Sequence, residues 1–323
     1  MSEPSLDRAA AALGDGDLAL VAGADGRGAT VAAAAALIGA TGLSSVHELG
    51  GDLVVLALGA DHAGRLELAE LPRATRPRDG IVPAASIDAA DGRADAWSLS
   101  GRAHTIRVAS DPGCTVDAVL SPGHVHCAIA QEGTCAAPSL ALELARAADC
   151  APAVVLCPVV DRDGRHLSLT EALRDPRLAR LAIAPSLQLR GLAVARELER
   201  DAVDCSLPTR LGMFRAVAHA AGPGGEMALA LVHREPGRDP AGAVVHTHVA
   251  CLLGDTFGSL LCDCHRRLDR AVAEIVAAGA GAIVYVKPRL ADPFACPVGE
   301  LVDPALALGL LGRAGLTVDP VAA

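Results

Sequence analysis

"HTHVACLLGDTFGSLLCDCHRRLDRAV", residues 246–272, gathers three cysteines and three histidines into one short segment. Cys251, Cys262 and Cys264 stand as C-x10-C-x-C. Zn²⁺ accepts thiolates readily; a structural zinc has four protein ligands, whereas a catalytic one keeps a position for water. Three clustered cysteines leave the fourth place to water or to His248, three residues before Cys251. His265 directly follows Cys264 and cannot easily share its ion. The competing reading is three unmetallated core thiols. The remaining seven cysteines (Cys114, Cys127, Cys135, Cys150, Cys157, Cys205 and Cys296) are scattered singly and read as small buried hydrophobes.

The flanks place this segment on a scaffold. "GEMALALVHR" (225–234) and "AGAVVHTHV" (241–249) have the composition of strands. After the last clustered cysteine, Leu268, Ala271, Val272, Ile275 and Val276 recur at helical spacing until Gly279 and Gly281, which predicts an amphipathic helix. "AIVYVK" (282–287) is the next buried strand. The cysteines therefore lie between a strand end and a helix start, where α/β sheets carry function. Further upstream, "DLALVAG" (17–23), "GDLVVLALG" (51–59) and "APAVVLCPVVD" (151–161) predict strands, with helices over "TVAAAAALIGA" (30–40) and "SLALELARAADC" (139–150). Strands alternating with helices imply α/β layering. The helical start and polar end of 187–210 set a domain boundary near residue 200, giving domains 1–200 and 201–323.

Composition narrows the function classes. A chain of 323 residues with 51% hydrophobic and 20% charged residues is folded and long enough for two domains. Its net charge of −10 argues against nucleic-acid binding, but a local arginine cluster still suits a small anion. Lys287 is the only lysine. No apolar run is long enough to span a membrane, and the acidic start lacks the basic region of a signal peptide. A cytoplasmic location follows, where cysteines serve as thiols or ligands.

The order "LPTRLGMFRAVAH" (207–219), "LALVH" (229–233), "VHTHVACLLGDTFGSLLCDCHRRLDRAV" (245–272) and "GAIVYV" (281–286) resembles GTP cyclohydrolase II. That resemblance implies zinc on Cys251, Cys262 and Cys264, water as fourth ligand, and His248 lining the pocket without ligating. The preceding half, through "GRAHTIRVASDPGCTVDAVLSPGHVH" (101–126), "ALELARAADCAPAVVLCPVVDRDG" (141–164) and "LAIAPSLQLRGLAVAREL" (181–198), resembles 3,4-dihydroxy-2-butanone 4-phosphate synthase. The chain is thus similar to the bifunctional riboflavin-biosynthesis family, which has these two domains in this order.

Several positions depart from that pattern. The synthase family's acidic loop, D-x-E-D-R-E-N-E-G-D, becomes "AGADGRGATVAA" (22–33), with Asp25 its only acid. The H-T-E metal motif falls on Ala137, Pro138 and Ser139, and a later glutamate on Pro158. His124 and Thr105 match phosphate-side features but cannot move protons alone, so synthase activity is expected to be absent. In the second half, R-V-H-S-E-C becomes "HTHVAC", with His246, Val249 and Ala250 replacing Arg, Ser and Glu. The helix glutamine becomes Arg267, and E-G-R-G-I-G-L gives way to "PRLADPFACPVGELVDP". The expectation is a C-terminally truncated cyclohydrolase-type zinc domain, with His246, His248, Asp255 and Arg267 toward a small-molecule substrate. For Asp255 and Asp263, a turn or helix-capping role is the stronger alternative. The leading functional reading is a zinc hydrolase acting on a purine-like or other small heterocycle. The alternative is a non-catalytic, zinc-stabilised paralogue that binds or regulates an active riboflavin enzyme. A homodimer is expected, with an active homologue as an alternative partner.

Overall fold

The structure, a computed structural model, describes residues 4–23, 28–51, 53–71, 81–93, 95–131, 133–134, 136–209, 211–221, 226–238, 243–287, 296–297 and 302–316. They form two compact units that part between Arg190 and Gly191.

The first unit is built on a seven-stranded mixed sheet. Its strands are β1 (Ala19–Val21), β2 (Thr30–Ala34), β3 (Val55–Leu58), β4 (Ile81–Ala89), β5 (Val119–Ala130), β6 (Ala153–Pro158) and β7 (Ala182–Ile183), in the order β4-β5-β3-β6-β2-β1-β7. Helices cover both faces. Val31 and Ala33 of β2 join a cluster with Leu43 and Val46 of α2 (Ala40–Leu49) and with Ala103 and Ile106 of α4 (Leu99–Ser110). The intervening Ala32 and Ala34 join Ala9 and Leu13 of α1 (Leu6–Gly14) and Leu140 and Leu144 of α5 (Ala137–Ala147). Each such buried leucine contributes roughly 1.5–3 kcal/mol. Two short helices, α3 (Ala60–Arg65) and α6 (Leu169–Ala172), complete the unit.

This layering corrects one expectation. The alanine-rich run 30–40 was expected to be a helix, yet its first half is strand β2, antiparallel to both β1 and β6. A strand covered on both faces is apolar at every position, and periodicity then cannot separate it from a buried helix. Thr30 and Val31, β-branched, open the strand.

The second unit holds a five-stranded sheet of order β11-β12-β10-β9-β8, formed by β8 (Val203–Thr209), β9 (Gly212–Ala221), β10 (Glu226–Arg234), β11 (Val244–Val249) and β12 (Ala280–Lys287). On one face Ala282, Val284 and Val286 of β12 pack with Leu306 and Leu310 of α9 (Pro304–Arg313). On the other, Ile283 meets Ala271 and Ile275 of α8 (Cys264–Ala278). Gly279 ends α8 in the left-handed region at φ 72°, where a side chain would be strained.

The boundary was expected near residue 200, but the units part earlier, inside α7 (Ser186–Asp201). Ser186 donates to the Ala22 carbonyl at 3.0 Å and Leu189 sits in the first unit's core, whereas Val194 and Leu198 sit in the second's. The polar stretch after the helix, to which the sequence assigned no element, is the exposed edge strand β8. Among the described residues no helix is long and apolar enough to cross a membrane.

Candidate metal centre and adjoining cavity

Strand β11 is parallel to β12 and ends just before Cys251. A π-type turn, Leu252–Thr256, then folds the chain back so that Cys262 and the first residue of α8, Cys264, reach Cys251. The turn has a specific brace. The Asp255 carboxylate, almost fully buried, accepts from the Cys251 backbone N–H (2.9 Å), the Tyr285 hydroxyl (2.9 Å) and His248 Nε2 (3.0 Å). His248 also stacks on Tyr285 with ring centroids 5.5 Å apart. Burial, and then the hydrogen bond to Asp255 and its charge, push the Tyr285 phenol well above its ordinary range, so it remains a donor.

Cys251 Sγ lies 3.8 Å from Cys262 Sγ, and Cys264 Sγ lies 3.5 Å from Cys296 Sγ. All four sulfurs are within 4.8 Å of one another. Sulfurs at the corners of a tetrahedron around zinc, each about 2.3 Å from the ion, would stand about 3.8 Å apart. The donor set therefore fits zinc. The Gly254 N–H donates to Cys251 Sγ at 3.3 Å and the Arg267 guanidinium to Cys264 Sγ at 3.3 Å, contacts that favour thiolate. Burial pushes the Cys264 thiol up to about 12. The neighbouring Cys262, which accepts the Cys264 backbone N–H, is held below the ordinary thiol value. A Cβ on Gly254 would lie 2.9 Å from Cys262 Sγ and 3.1 Å from Cys251 Sγ. The turn thus closes tightly over the sulfurs.

Beside the thiols lies a cavity of about 410 Å³ between β11 and α8, lined by His246, Thr247, His248, Val249, Arg267, Arg270, Ala271, Glu274, Pro297 and Val302. His246 Nε2 stands 3.0 Å from a Glu274 carboxylate oxygen, but outside hydrogen-bonding alignment. The contact is therefore an ion pair when the ring is protonated.

Of the residues singled out from sequence, His246, His248 and Arg267 line this cavity, while Asp255 lies beneath it as the turn's acceptor. Asp263 occupies the N-cap of α8 without a side-chain cap bond and pairs instead with Arg267 at 3.3 Å. His265 turns outward to Asp269 at 3.3 Å. Sequence reasoning assigned the fourth place to water and left Cys296 among the scattered thiols, whereas the fold brings Cys296 to the other three. It did not assign Glu274 and Arg270 to the site, although their spacing with Arg267 and Ala271 on one face of α8 was a signal, and nothing local tied Tyr285 to Asp255.

Among the described residues, the first unit offers no comparable metal centre. The Ala137 and Ser139 side chains are buried in α5, and Pro158 ends β6 paired with Thr30. None of these three bears a carboxylate or imidazole, so these positions do not fit Mg²⁺. His124 Nδ1 contacts Asp88 at 2.7 Å under the ring of Trp97, and Thr105 Oγ accepts the Ala89 N–H at 3.0 Å. Asp25 lies outside the described residues.

Comparison with known proteins agrees with this two-part arrangement. Residues 7–189 match the family model of 3,4-dihydroxy-2-butanone 4-phosphate synthase, and residues 199–291 match that of GTP cyclohydrolase II. The riboflavin biosynthesis protein RibBA of Rhodococcus jostii is 34% identical over 254 residues, covering 75% of this chain and 60% of the relative. Its counterpart in Salinispora tropica is 32% identical over 245 residues, covering 72% and 60%. The matched part thus spans about three fifths of these relatives' own length. The crystal structure of RibBX, a two-domain 3,4-dihydroxy-2-butanone 4-phosphate synthase from A. baumannii, shares the fold with a TM-score of 0.71 at 17% identity, covering 96% of this chain and 91% of that one. The chain belongs to the riboflavin-biosynthesis family in which a 3,4-dihydroxy-2-butanone 4-phosphate synthase domain precedes a GTP cyclohydrolase II domain.

Proposed function

We propose that this chain has kept both folds of its family for binding rather than for the two reactions. In this reading the second domain holds Zn²⁺ through Cys251, Cys262 and Cys264 and receives a small molecule in the adjoining cavity. The first domain does not rearrange a pentulose phosphate.

One observation carries the reading. His246 and Arg267, which stand where the resemblance expects an arginine and a glutamine for GTP, are engaged within the protein, His246 with Glu274 and Arg267 with Cys264 and Asp263. A triphosphate brings several negative charges that need matched donors, and Glu274 opposes them at the cavity wall. A less charged ligand suits the cavity better. In the first domain, the absence of carboxylates at Ala137, Ser139 and Pro158 removes the groups that would hold Mg²⁺ and move protons.

The exposed apolar side chains of Phe257, Leu260 and Leu261 beside the thiols, of Val203 on β8 and of Met213 on β9, support pairing with a second copy or an active homologue. A cytoplasmic setting would keep the cysteines reduced.

The test is direct. The zinc-loaded chain, incubated with GTP, is expected to release neither formate nor pyrophosphate. With ribulose 5-phosphate and Mg²⁺ it is expected to release no formate. Turnover of either substrate that depends on this chain would overturn the reading.

A second reading, a zinc hydrolase on a small heterocycle, is favoured by the His248–Asp255 pair, whose imidazole lines the cavity beside the thiols. It requires an exchangeable position on the metal.

A further inference from the structure

We propose that Cys296 is the fourth ligand of the metal, so that this domain holds zinc with four thiolates and no open position. The inference deepens the zinc reading above and rests on it.

Three independent features point this way. The first is distance: Cys296 Sγ is 3.5 Å from Cys264 Sγ, and all four sulfurs fall within 4.8 Å. Those separations suit a shared ion and exceed the ~2.05 Å of a disulfide bond. The second is charge. A fourth thiolate adds a negative charge to the centre, and the Arg267 guanidinium, absent from the family pattern, lies 3.3 Å from Cys264 Sγ to offset it. The third is the wall of the cavity. Pro297, the residue after Cys296, is part of its lining. Ligation of Cys296 therefore ties this wall to the thiol centre, and the metal shapes the cavity instead of activating water in it.

A saturated site has a chemical consequence. Activation of water by zinc needs a coordination position from which the ion can polarise it, and four protein thiolates define a structural centre. The His248–Asp255 pair then has no metal-bound water to deprotonate, which disfavours the hydrolase reading.

The experiment uses the full chain loaded with Zn²⁺ or Co²⁺, and Cys296→Ala, Cys296→Ser and Cys205→Ala variants. X-ray absorption at the metal edge should give four sulfurs for the unmodified chain and for Cys205→Ala, whose exposed thiol lies on β8. For Cys296→Ala it should give three sulfurs and one light atom. Metal affinity should fall by about 100-fold or more, above the range that outer-shell partners command. Added azide should change the Co²⁺ spectrum of Cys296→Ala and Cys296→Ser but not that of the parent. Circular dichroism of both variants at saturating metal checks that they fold. Three sulfurs and a light atom in the unmodified chain would overturn the four-thiolate site and leave the zinc reading standing. A chain that binds no metal, or that carries a Cys264–Cys296 disulfide after purification under reducing conditions, overturns both.

Discussion

The Asp255 carboxylate holds His248 Nε2 at 3.0 Å and in doing so fixes the turn that presents Cys251. Three donors converge on this one side chain, and its near-complete burial removes water as a substitute. Asp255, for which the sequence favoured a turn role over contact with a substrate, is thus an internal brace of the turn.

Replacement Asp255→Ala strands the Cys251 N–H and the Tyr285 hydroxyl. Buried donors left without a partner cost about 1–3 kcal/mol each, so the second unit should lose about 2–4 kcal/mol. Tyr285, the only tyrosine in the chain, reports the transition by near-ultraviolet absorbance during urea unfolding. Asp255→Asn, which keeps an acceptor, should lose less. Equal stability of all three proteins would refute the brace.

Gly254 has no room for a side chain, since its Cβ would meet Cys262 Sγ and the Cys264 Cβ at 2.9 Å. Gly254→Ala should therefore widen the turn and weaken metal binding by at least about 10-fold, the scale of disturbing a ligand's support. Competition with a chromophoric chelator measures this, and unchanged affinity would count against the tight closure. Gly258→Ala is no control, because its φ of 61° would add strain of its own.

The face of α8 that meets the sheet is small, with Ile275 fully buried between Ala271 and Ile283. Ile275→Ala should cost about 2–4 kcal/mol through lost burial and the cavity left behind. Arg266→Ala, on the exposed side of the same helix, should change stability by less than about 0.5 kcal/mol. Comparable losses in the two variants would mean that α8 is not held by this contact.

In the first unit, His62 is buried and its Nε2 lies 2.7 Å from the Ala109 carbonyl, to which the neutral ring donates. Burial holds its pKa below the ordinary 6.5; the Ala109 bond and Asp111 pull upward, and Arg65 pulls downward. The unfolded chain therefore takes up this proton first as pH falls. Its contribution to stability is complete above about 6.5 and is lost as pH drops below that value toward the depressed one. Unfolding followed by the fluorescence of Trp97, the only tryptophan, at about pH 7.5 and about pH 5.5 should show a smaller pH dependence for His62→Gln than for the parent. An identical dependence in both would remove His62 as its source.

Much of the architecture was legible because local signals agreed with it. Helix α8 carried its apolar spacing and its stop at Gly279, and β12 stood out as a short apolar run with Val and Ile. The region 30–34 was misread because a strand buried on both faces has no alternation to display. The polar β8 was missed for the opposite reason. At an exposed edge every side chain meets water, and only pairing with β9 defines it as a strand.

The candidate site divides along the same line. By itself the sequence determined that Cys251, Cys262 and Cys264 cluster, since they occupy one turn and the start of one helix. It also determined that positions 137, 139 and 158 carry Ala, Ser and Pro, where the family resemblance implies metal-binding and proton-transfer groups, because residue type is a property of the chain alone. The pairing of His248 with Asp255 and Tyr285, the Glu274 contact to His246 and the approach of Cys296 to Cys264 were decided by tertiary structure. Cys296 is 32 positions from Cys264. No local periodicity reaches that far, and only the tertiary structure sets the distance at which four sulfurs can share one ion.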